Sequence, residues 1–316
     1  MFLCVSPNPA IDKRITLPTL VAGGIHRART VQSFPGGKST HVAMVLKALG
    51  VEPHWVGMCG GAAGESLLGG LRALAIVAHP VAVKGETRTN LEIVDDAAGV
   101  TEIRETGEAV SPQEIAAFEG ECKRLFEKGG KAAVVIFSGS LPPDAPDDLY
   151  ARLIAMARSF HCRTLLDTSG EPLRLALSTK PDFVKPNRDE AAAVVNSVID
   201  STASAAKAAQ KLMAAGARGA ALSLGSDGMV FAASESEPVL FAPAVPVKPR
   251  STVGCGDAAL AGFAYTLSSS AAPADALRVA VACATANCVA DSPGAVREMV
   301  VKEFEGQVRI ETLGPP

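Results

Sequence analysis

The stretch Ser251-Thr252-Val253-Gly254-Cys255-Gly256-Asp257 carries the chain's clearest chemistry, and it runs into the apolar segment Ala258-Ala259-Leu260-Ala261-Gly262-Phe263. Two glycines flank a small residue, so the backbone can turn tightly and approach a ligand closely. A helix that starts here leaves its first N–H groups unpaired and carries a partial positive charge at that end. Such a terminus suits a phosphate. Asp257 stands where a carboxylate could take a proton from an alcohol while those amides hold phosphoryl oxygens, the division of labour that phosphoryl transfer needs. A lone G-x-G-D is common, however, and Asp at a helix start also serves as a simple cap.

A second candidate is Pro35-Gly36-Gly37-Lys38-Ser39-Thr40. Its tail resembles a Walker phosphate loop, but the first glycine of that motif would fall on Gln32, so the spacing fails. What remains is a Gly-Gly-Lys turn that enters a helix over 41–49. A cation near a helix start is unfavourable for the dipole, which points to an anion that Lys38 neutralises; the alternative is a solvated loop lysine.

These residues need a scaffold, and composition bounds it. The chain has 316 residues, 48% of them hydrophobic and 20% charged, with a formal net charge of −3. That predicts a single large domain over 1–316 with a substantial core. The charge balance argues against nucleic acid as a partner, and no apolar stretch is long enough to span a membrane. Seven scattered cysteines without a C-x-x-C pair, and five histidines without zinc-site spacing, predict a reduced cytoplasmic protein with no structural metal.

Strand patterns alternate with helical ones along most of the chain. Buried strands are predicted over 2–6, 55–58, 81–83, 132–137, 164–167, 182–185 and 220–224, with edge strands over 229–232 and 239–241. Ser111-Pro112-Gln113-Glu114 is a strong helix start, combining a cap, Pro at the first turn and a capping box. Helices are also predicted over 64–74, 147–159 and 203–215 and in an Ala-rich segment up to 290, followed by a short tail. Repeated βα units imply an α/β protein, a Rossmann-like α/β/α sandwich with a mostly parallel sheet. Ligands bind such sheets beyond the carboxyl ends of the strands. Four further strands, over about 11–17, 27–34, 88–94 and 100–106, have charged faces and predict a small separate sheet, a lid.

Together these stretches resemble the ribokinase-like (PfkB) carbohydrate kinases, and closest is their phosphosugar branch. The pieces appear in family order over nearly the whole chain: Asn8-Pro9-Ala10-Ile11-Asp12, Pro35-Gly36-Gly37-Lys38, Thr87-Arg88, Ser138-Gly139-Ser140-Leu141-Pro142-Pro143, Asp167-Thr168-Ser169-Gly170, Lys185-Pro186-Asn187-x-x-Glu190, Ser223-Leu224-Gly225 and the glycine turn before Asp257. The resemblance implies an ATP-dependent kinase of a hexose monophosphate, with fructose 1-phosphate first and fructose 6-phosphate or tagatose 6-phosphate next. Asp257 would be the base, and the amides of Gly254, Cys255 and Gly256 the anion hole. Asp12, Gly36, Gly37, His41 and Ser138 would meet the sugar, and Lys38, Arg88 and Arg27 its existing phosphate. Lys185, Asn187, Ser223, Gly225, Gly228 and Asn287 would line the nucleotide side. Asn187 and Glu190 would organise Mg²⁺ through water, or form a capping box, or both. A homodimer through the lid sheet is expected.

The family usually reads G-G-K-G-x-N; here Ser39 replaces the third glycine and His41 the Asn. Cys255 replaces a usual Ala, and Ser251 an Asp common elsewhere in the family. Two other readings remain, a neutral-sugar or nucleoside kinase and a sensor that binds without turnover. A dinucleotide-dependent oxidoreductase is excluded, because Ser6-Pro7-Asn8-Pro9 stands where its glycine motif would be.

Overall fold

Val5 and its neighbours lie in the interior of a ten-stranded sheet, two strands from one edge. The computed structural model describes residues 1–95, 99–269 and 271–313. Strand β1 (Phe2–Ser6) is a short apolar run, and it pairs in parallel with two strands at once, β4 (Pro53–Cys59) and β8 (Val134–Ser138). A strand covered on both faces reads as a continuous apolar run. The remaining strands of this sheet are β5 (Val77–Ala82), β9 (Arg163–Asp167), β10 (Phe183–Val184), β11 (Ala220–Ser223), β12 (Met229–Ala232), β13 (Leu240–Ala242) and β14 (Glu311–Thr312). The order is β14-β13-β12-β11-β10-β9-β8-β1-β4-β5, parallel from β5 to β11 and antiparallel beyond.

Four strands form a second sheet in the order β3-β2-β6-β7: β2 (Ala10–Leu17), β3 (Thr30–Gly36), β6 (Arg88–Asp95) and β7 (Gly99–Arg104). The strand expected over 27–34 therefore starts three residues later, and the one expected over 100–106 ends at Arg104. Of the turn expected over 95–99, residues 96–98 lie outside the described residues, while Asp95 ends β6 and Gly99 opens β7.

Helices cover both faces of the main sheet. One core gathers Phe118, Phe126, Phe137 and Tyr150 under α3 (Pro112–Gly129) and α4 (Leu149–Ser159); the other gathers Trp55, Phe183, Phe231 and Phe263 under α1 (Lys38–Ala48), α8 (Cys255–Ser268) and α9 (Pro273–Cys288). The capping box at Ser111 and Glu114 is present, with Pro in the first turn. Small residues in α8 and α9 have a packing cause. A Cβ added to Gly262 would lie 2.7 Å from the Ala280 Cα, so the two backbones are in direct contact.

Several elements escaped the sequence reading. The Ala-rich segment is two helices, with the break between Ser268 and Pro273. Helix α5 (Gly170–Leu177) follows β9, and the expected tail holds α10 (Glu298–Glu305) and β14. The helices α2 (Gly61–Ala73), α6 (Arg188–Val195) and α7 (Thr202–Ala214) complete the fold. Among the described residues, no helix is long and apolar enough to cross a membrane.

Candidate active site

The parallel strands end at one rim, and the second sheet lies over it. A cleft of about 530 Å³ opens there, lined among others by Asp12, Lys38, His41, Arg88, Arg104, Asp167, Lys185 and Asp257. Register explains the lid's contribution. Asp12 on β2 pairs with Asn90 on β6, and Asn90 pairs with Arg104 on β7, so three polar residues form one row across the sheet. Period-2 alternation along β6 then turns Arg88, Asn90 and Glu92 toward the same cleft.

His41 joins two carboxylates. Its Nδ1 lies 2.8 Å from Asp257 Oδ2 and its Nε2 lies 2.8 Å from Asp12 Oδ2, and all three residues are buried. Ionised carboxylates only accept, so both ring nitrogens must carry hydrogen. Burial alone would lower the His41 pKa, but the bonds to Asp12 and Asp257 outweigh it and raise the group to about 10. Burial would raise Asp12; the His41 and Asn90 bonds prevail and hold it below its ordinary value. Asn90 Nδ2 donates to Asp12 Oδ1 at 2.9 Å, so each Asp12 oxygen already has one partner. Gly36 makes room for this carboxylate, because a Cβ there would sit 2.3 Å from the Asp12 Cγ.

A second cluster forms the floor. Asp167, at the end of β9, receives Lys38 Nζ at 3.1 Å on Oδ1 and Lys185 Nζ at 2.9 Å on Oδ2. Lys38 also lies 3.8 Å from Glu190 Oε1. Burial favours neutral groups here, yet the opposed charges win, lowering the Asp167 pKa and raising that of Lys38. Lys38 is therefore no solvated loop lysine. Its neighbour Ser39 ties α1 to the strand ends, its single hydroxyl hydrogen shared between Val5 O at 2.5 Å and Ser138 O at 2.9 Å.

The glycine turn ends this floor. Gly254 has φ +78°, a left-handed conformation that favours glycine, and Ala258 N–H makes the first intrahelical bond, to Gly254 O at 2.8 Å. The amides before it point out of the helix end. Cys255 N–H is partly engaged, donating to Thr252 O at 3.3 Å. A Cβ on Gly256 would lie 3.3 Å from Lys185 Nζ, so an ammonium stands beside these amides. Ser251 steadies the turn from the lid side: its Oγ donates to Glu92 Oε1 at 2.7 Å and accepts from Val253 N–H at 3.2 Å. Arg14 holds the same Glu92 through Nε at 2.7 Å.

Beyond the turn lies a larger cavity, of about 750 Å³, walled by Val245, Pro246 and Val281 on its apolar side and by Ser223, Gly225, Gly228 and Asn187 on its polar side. Asn187, Ser223, Thr252 and Gly256 line both spaces, so the two meet at the glycine turn. Gly228 must be glycine, since its φ is +114° and a Cβ would sit 2.1 Å from Ala242 O.

Comparison with known proteins agrees with this geometry. The profile described as "pfkB family carbohydrate kinase" matches residues 8–298. The chain belongs to the pfkB family of carbohydrate kinases. It is 35% identical to a 1-phosphofructokinase of Xanthomonas campestris over 84% of this chain and 83% of that one. It is 29% identical to the 1-phosphofructokinase of Bacillus subtilis over 99% of this chain and 100% of that one. Phosphofructokinase-2 from Escherichia coli, solved in complex with substrates and products, superposes with a TM-score of 0.89 at 27% identity, covering 97% of this chain and 98% of that chain.

In this carbohydrate kinase, five expected site residues sit elsewhere. Arg27 lies in an exposed loop and does not line the cleft, because β3 begins only at Thr30. Gly36 backs Asp12 and is not part of the cleft wall. Ser138 is buried, and among the described residues its Oγ has no hydrogen-bond partner. Asn287 is buried too and lines neither cavity. Its Nδ2 donates to Val253 O at 2.7 Å and its Oδ1 accepts from Gly294 N–H at 2.8 Å, so it braces the glycine turn from behind. Lys185 lines the floor cleft and not the larger cavity. Asn90 and Glu92 were not singled out beforehand, and Asp167 was named only within a motif, without a role; Arg104, expected to face the substrate's phosphate, does line the cleft. The alternation Arg88-x-Asn90-x-Glu92 was the signal for two of them, and an acid at the end of a buried strand was the signal for Asp167.

The kinase's stability is expected to depend on pH through His41. A group raised from 6.5 to about 10 on folding stabilises fully below 6.5, and the contribution fades as pH rises through about 10. Asp12 acts at the other end: its contribution is present above 3.8 and is lost as pH falls through its lowered folded value. Thermal melts from pH 6.5 to 10 should show a falling Tm in the native chain and a flatter profile in His41→Asn. Parallel profiles would refute the assignment.

Proposed function

We propose that this kinase moves the γ-phosphoryl group of ATP onto a hexose monophosphate, with fructose 1-phosphate ranked first and fructose 6-phosphate and tagatose 6-phosphate next. The observation that carries this reading is the meeting of the two cavities at Thr252 and Gly256, with Asp257 on one side only. The largely apolar space would hold the nucleoside, and the charged cleft the sugar. Asp257 lends one oxygen to His41; its other oxygen would receive the alcohol's proton. The helix-end amides and Lys185 would steady the migrating phosphoryl group, while Asp12 and Asn90 orient sugar hydroxyls.

The substrate's own phosphate would fall to Arg88 and Arg104, which share the cleft. Arg88 is anchored by two carbonyls, Glu105 O and Asn8 O, each at 2.9 Å. A cation already fixed by two carbonyls and lining the cleft fits an incoming phosphate. The relatives named 1-phosphofructokinase support the same substrate class.

Magnesium suits the residues present. Asn187 and Glu190 form a capping box, Asn187 Oδ1 accepting from Glu190 N–H and Glu190 Oε2 accepting from Asn187 N–H, both at 2.9 Å. Glu190 Oε1 remains on the cleft, and one carboxylate oxygen suffices for an ion that keeps most of its water. The ion would neutralise phosphate charge. Lys38, held by Asp167 and Glu190, stands at the same end of the cleft.

A coupled ADP assay over a panel of hexose monophosphates and neutral sugars tests the assignment. In Arg88→Met, KM for the phosphosugar should rise about 10–10²-fold, the worth of one charge-assisted bond of about 1.5–3 kcal/mol, with KM for ATP unchanged. Turnover of neutral sugars alone, or an unaltered KM, would overturn the substrate class. A dimer through the lid is proposed too. Val31 and Ile103 on its outer strands are 53% and 51% exposed, apolar surface that a second copy would cover. Light scattering should give twice the chain mass, and Val31→Lys should restore the single mass.

A further inference from the structure

We propose that Cys255 and Cys288 are a peroxide-reactive thiol pair, which closes into an intramolecular disulfide and distorts the glycine turn. Cys255 opens α8 and Cys288 closes α9, and their sulfurs are 2.9 Å apart. Both are partly exposed on the wall of the larger cavity, so a small oxidant reaches them, whereas Cys4, Cys59, Cys122, Cys162 and Cys283 are buried. The pair cannot drift apart easily, because α8 and α9 touch backbone to backbone at Gly262 and Ala280. Asn287 Nδ2 lies 3.4 Å from the Cys255 sulfur and offers it a donor.

The chemistry balances with hydrogen peroxide as the oxidant. Either thiol could donate across this contact; with Cys255 as the donor, the bond holds the Cys288 thiol below its ordinary pKa, and Cys288 is then the attacking thiolate. Its sulfur attacks one peroxide oxygen; the O–O bond breaks, a sulfenic acid forms, and the leaving hydroxide takes the thiol's proton as water. The Cys255 sulfur then attacks the sulfenic sulfur, the S–O bond breaks, and a second water leaves with the remaining proton. Two thiols are oxidised and one peroxide is reduced to two waters. Reduction by a dithiol reverses the result, as expected of a disulfide that forms transiently in a reducing compartment.

Closure draws the sulfurs from 2.9 Å to the S–S bond length of about 2.05 Å. The pull acts on the first residue of α8, next to Gly256 and the amides that face the anion. The effect on turnover rests on the phosphotransfer reading above; formation of the bond does not.

The test treats the whole chain with hydrogen peroxide, maps peptides by mass, and measures ADP release before and after reduction with dithiothreitol. A cross-linked peptide joining residues 255 and 288 is expected, with turnover lower by about 10²-fold, as when one anion-hole donor is lost, and recovered on reduction. Cys288→Ser should form no cross-link, and its own ratio of treated to untreated turnover should stay near one. Recovery of both thiols as free alkylated cysteines, or a cross-link that leaves turnover unchanged, would overturn the proposal. If no hexose phosphate is turned over under any condition, the failure lies with the phosphotransfer reading. The cross-link, and retention of a fluorescent ATP analogue before and after oxidation, then decide the thiol proposal.

Discussion

Asp257→Asn should lower kcat by about 10²–10⁴-fold, the usual worth of a positioned general base, and leave both KM values within a few-fold. The amide matches the carboxylate in size and can still accept from His41 through its oxygen. The His41 Nδ1 bond at 2.8 Å therefore survives, and so does the shape of the cleft. What disappears is an acceptor for the alcohol's proton. Steady-state kinetics with saturating ATP, together with a melt to confirm folding, check this. A variant with kcat within threefold of the native chain would remove Asp257 from the chemistry and leave it as a buried partner of His41.

His41→Leu is expected to act on both folding and turnover. It withdraws the one side chain that bonds Asp12 and Asp257 together, leaving two buried carboxylates facing an apolar group. Breaking a buried charge pair by removing one partner costs about 3–5 kcal/mol. Chemical denaturation should register a loss of that order. Turnover should fall as well, because Asp257 loses the contact that fixes its orientation. His41→Asn separates the two effects. It restores one donor but adds a carbonyl that cannot face a second carboxylate favourably, so it should recover part of the stability. A Leu variant as stable as the native chain would mean that the imidazolium bridge contributes nothing.

The central sheet, the separate lid and the glycine turn were legible in the sequence because each has a local signature. A run such as Phe2-Leu3-Cys4-Val5 has few alternatives, and Ser111 to Glu114 announces its helix outright. The Ala-rich helices were harder. Small residues allow α8 and α9 to pack at Gly262, and they also erase the periodic contrast that would have shown two helices instead of one. The site was legible as a set of residues and illegible as a set of partnerships. Lys38 looked like a cation in search of a substrate anion, and the fold supplies Asp167 and Glu190, residues 129 and 152 positions away. Asn287 and Ser138 have polar types that suit a ligand, but only the fold shows that both are buried and that Asn287 braces the glycine turn. The link from Asp12 through His41 to Asp257 depends on three elements converging, which spacing along the chain does not encode.

The contact from Arg14 and Glu92 through Ser251 to the Val253 amide has a mechanical consequence. Glu92 belongs to β6, the strand that also carries Arg88, while Val253 belongs to the glycine turn where the two cavities meet. Any tilt of the lid strand therefore pulls on that loop through a continuous chain of hydrogen bonds. The two walls of the cleft are strapped together and cannot move independently.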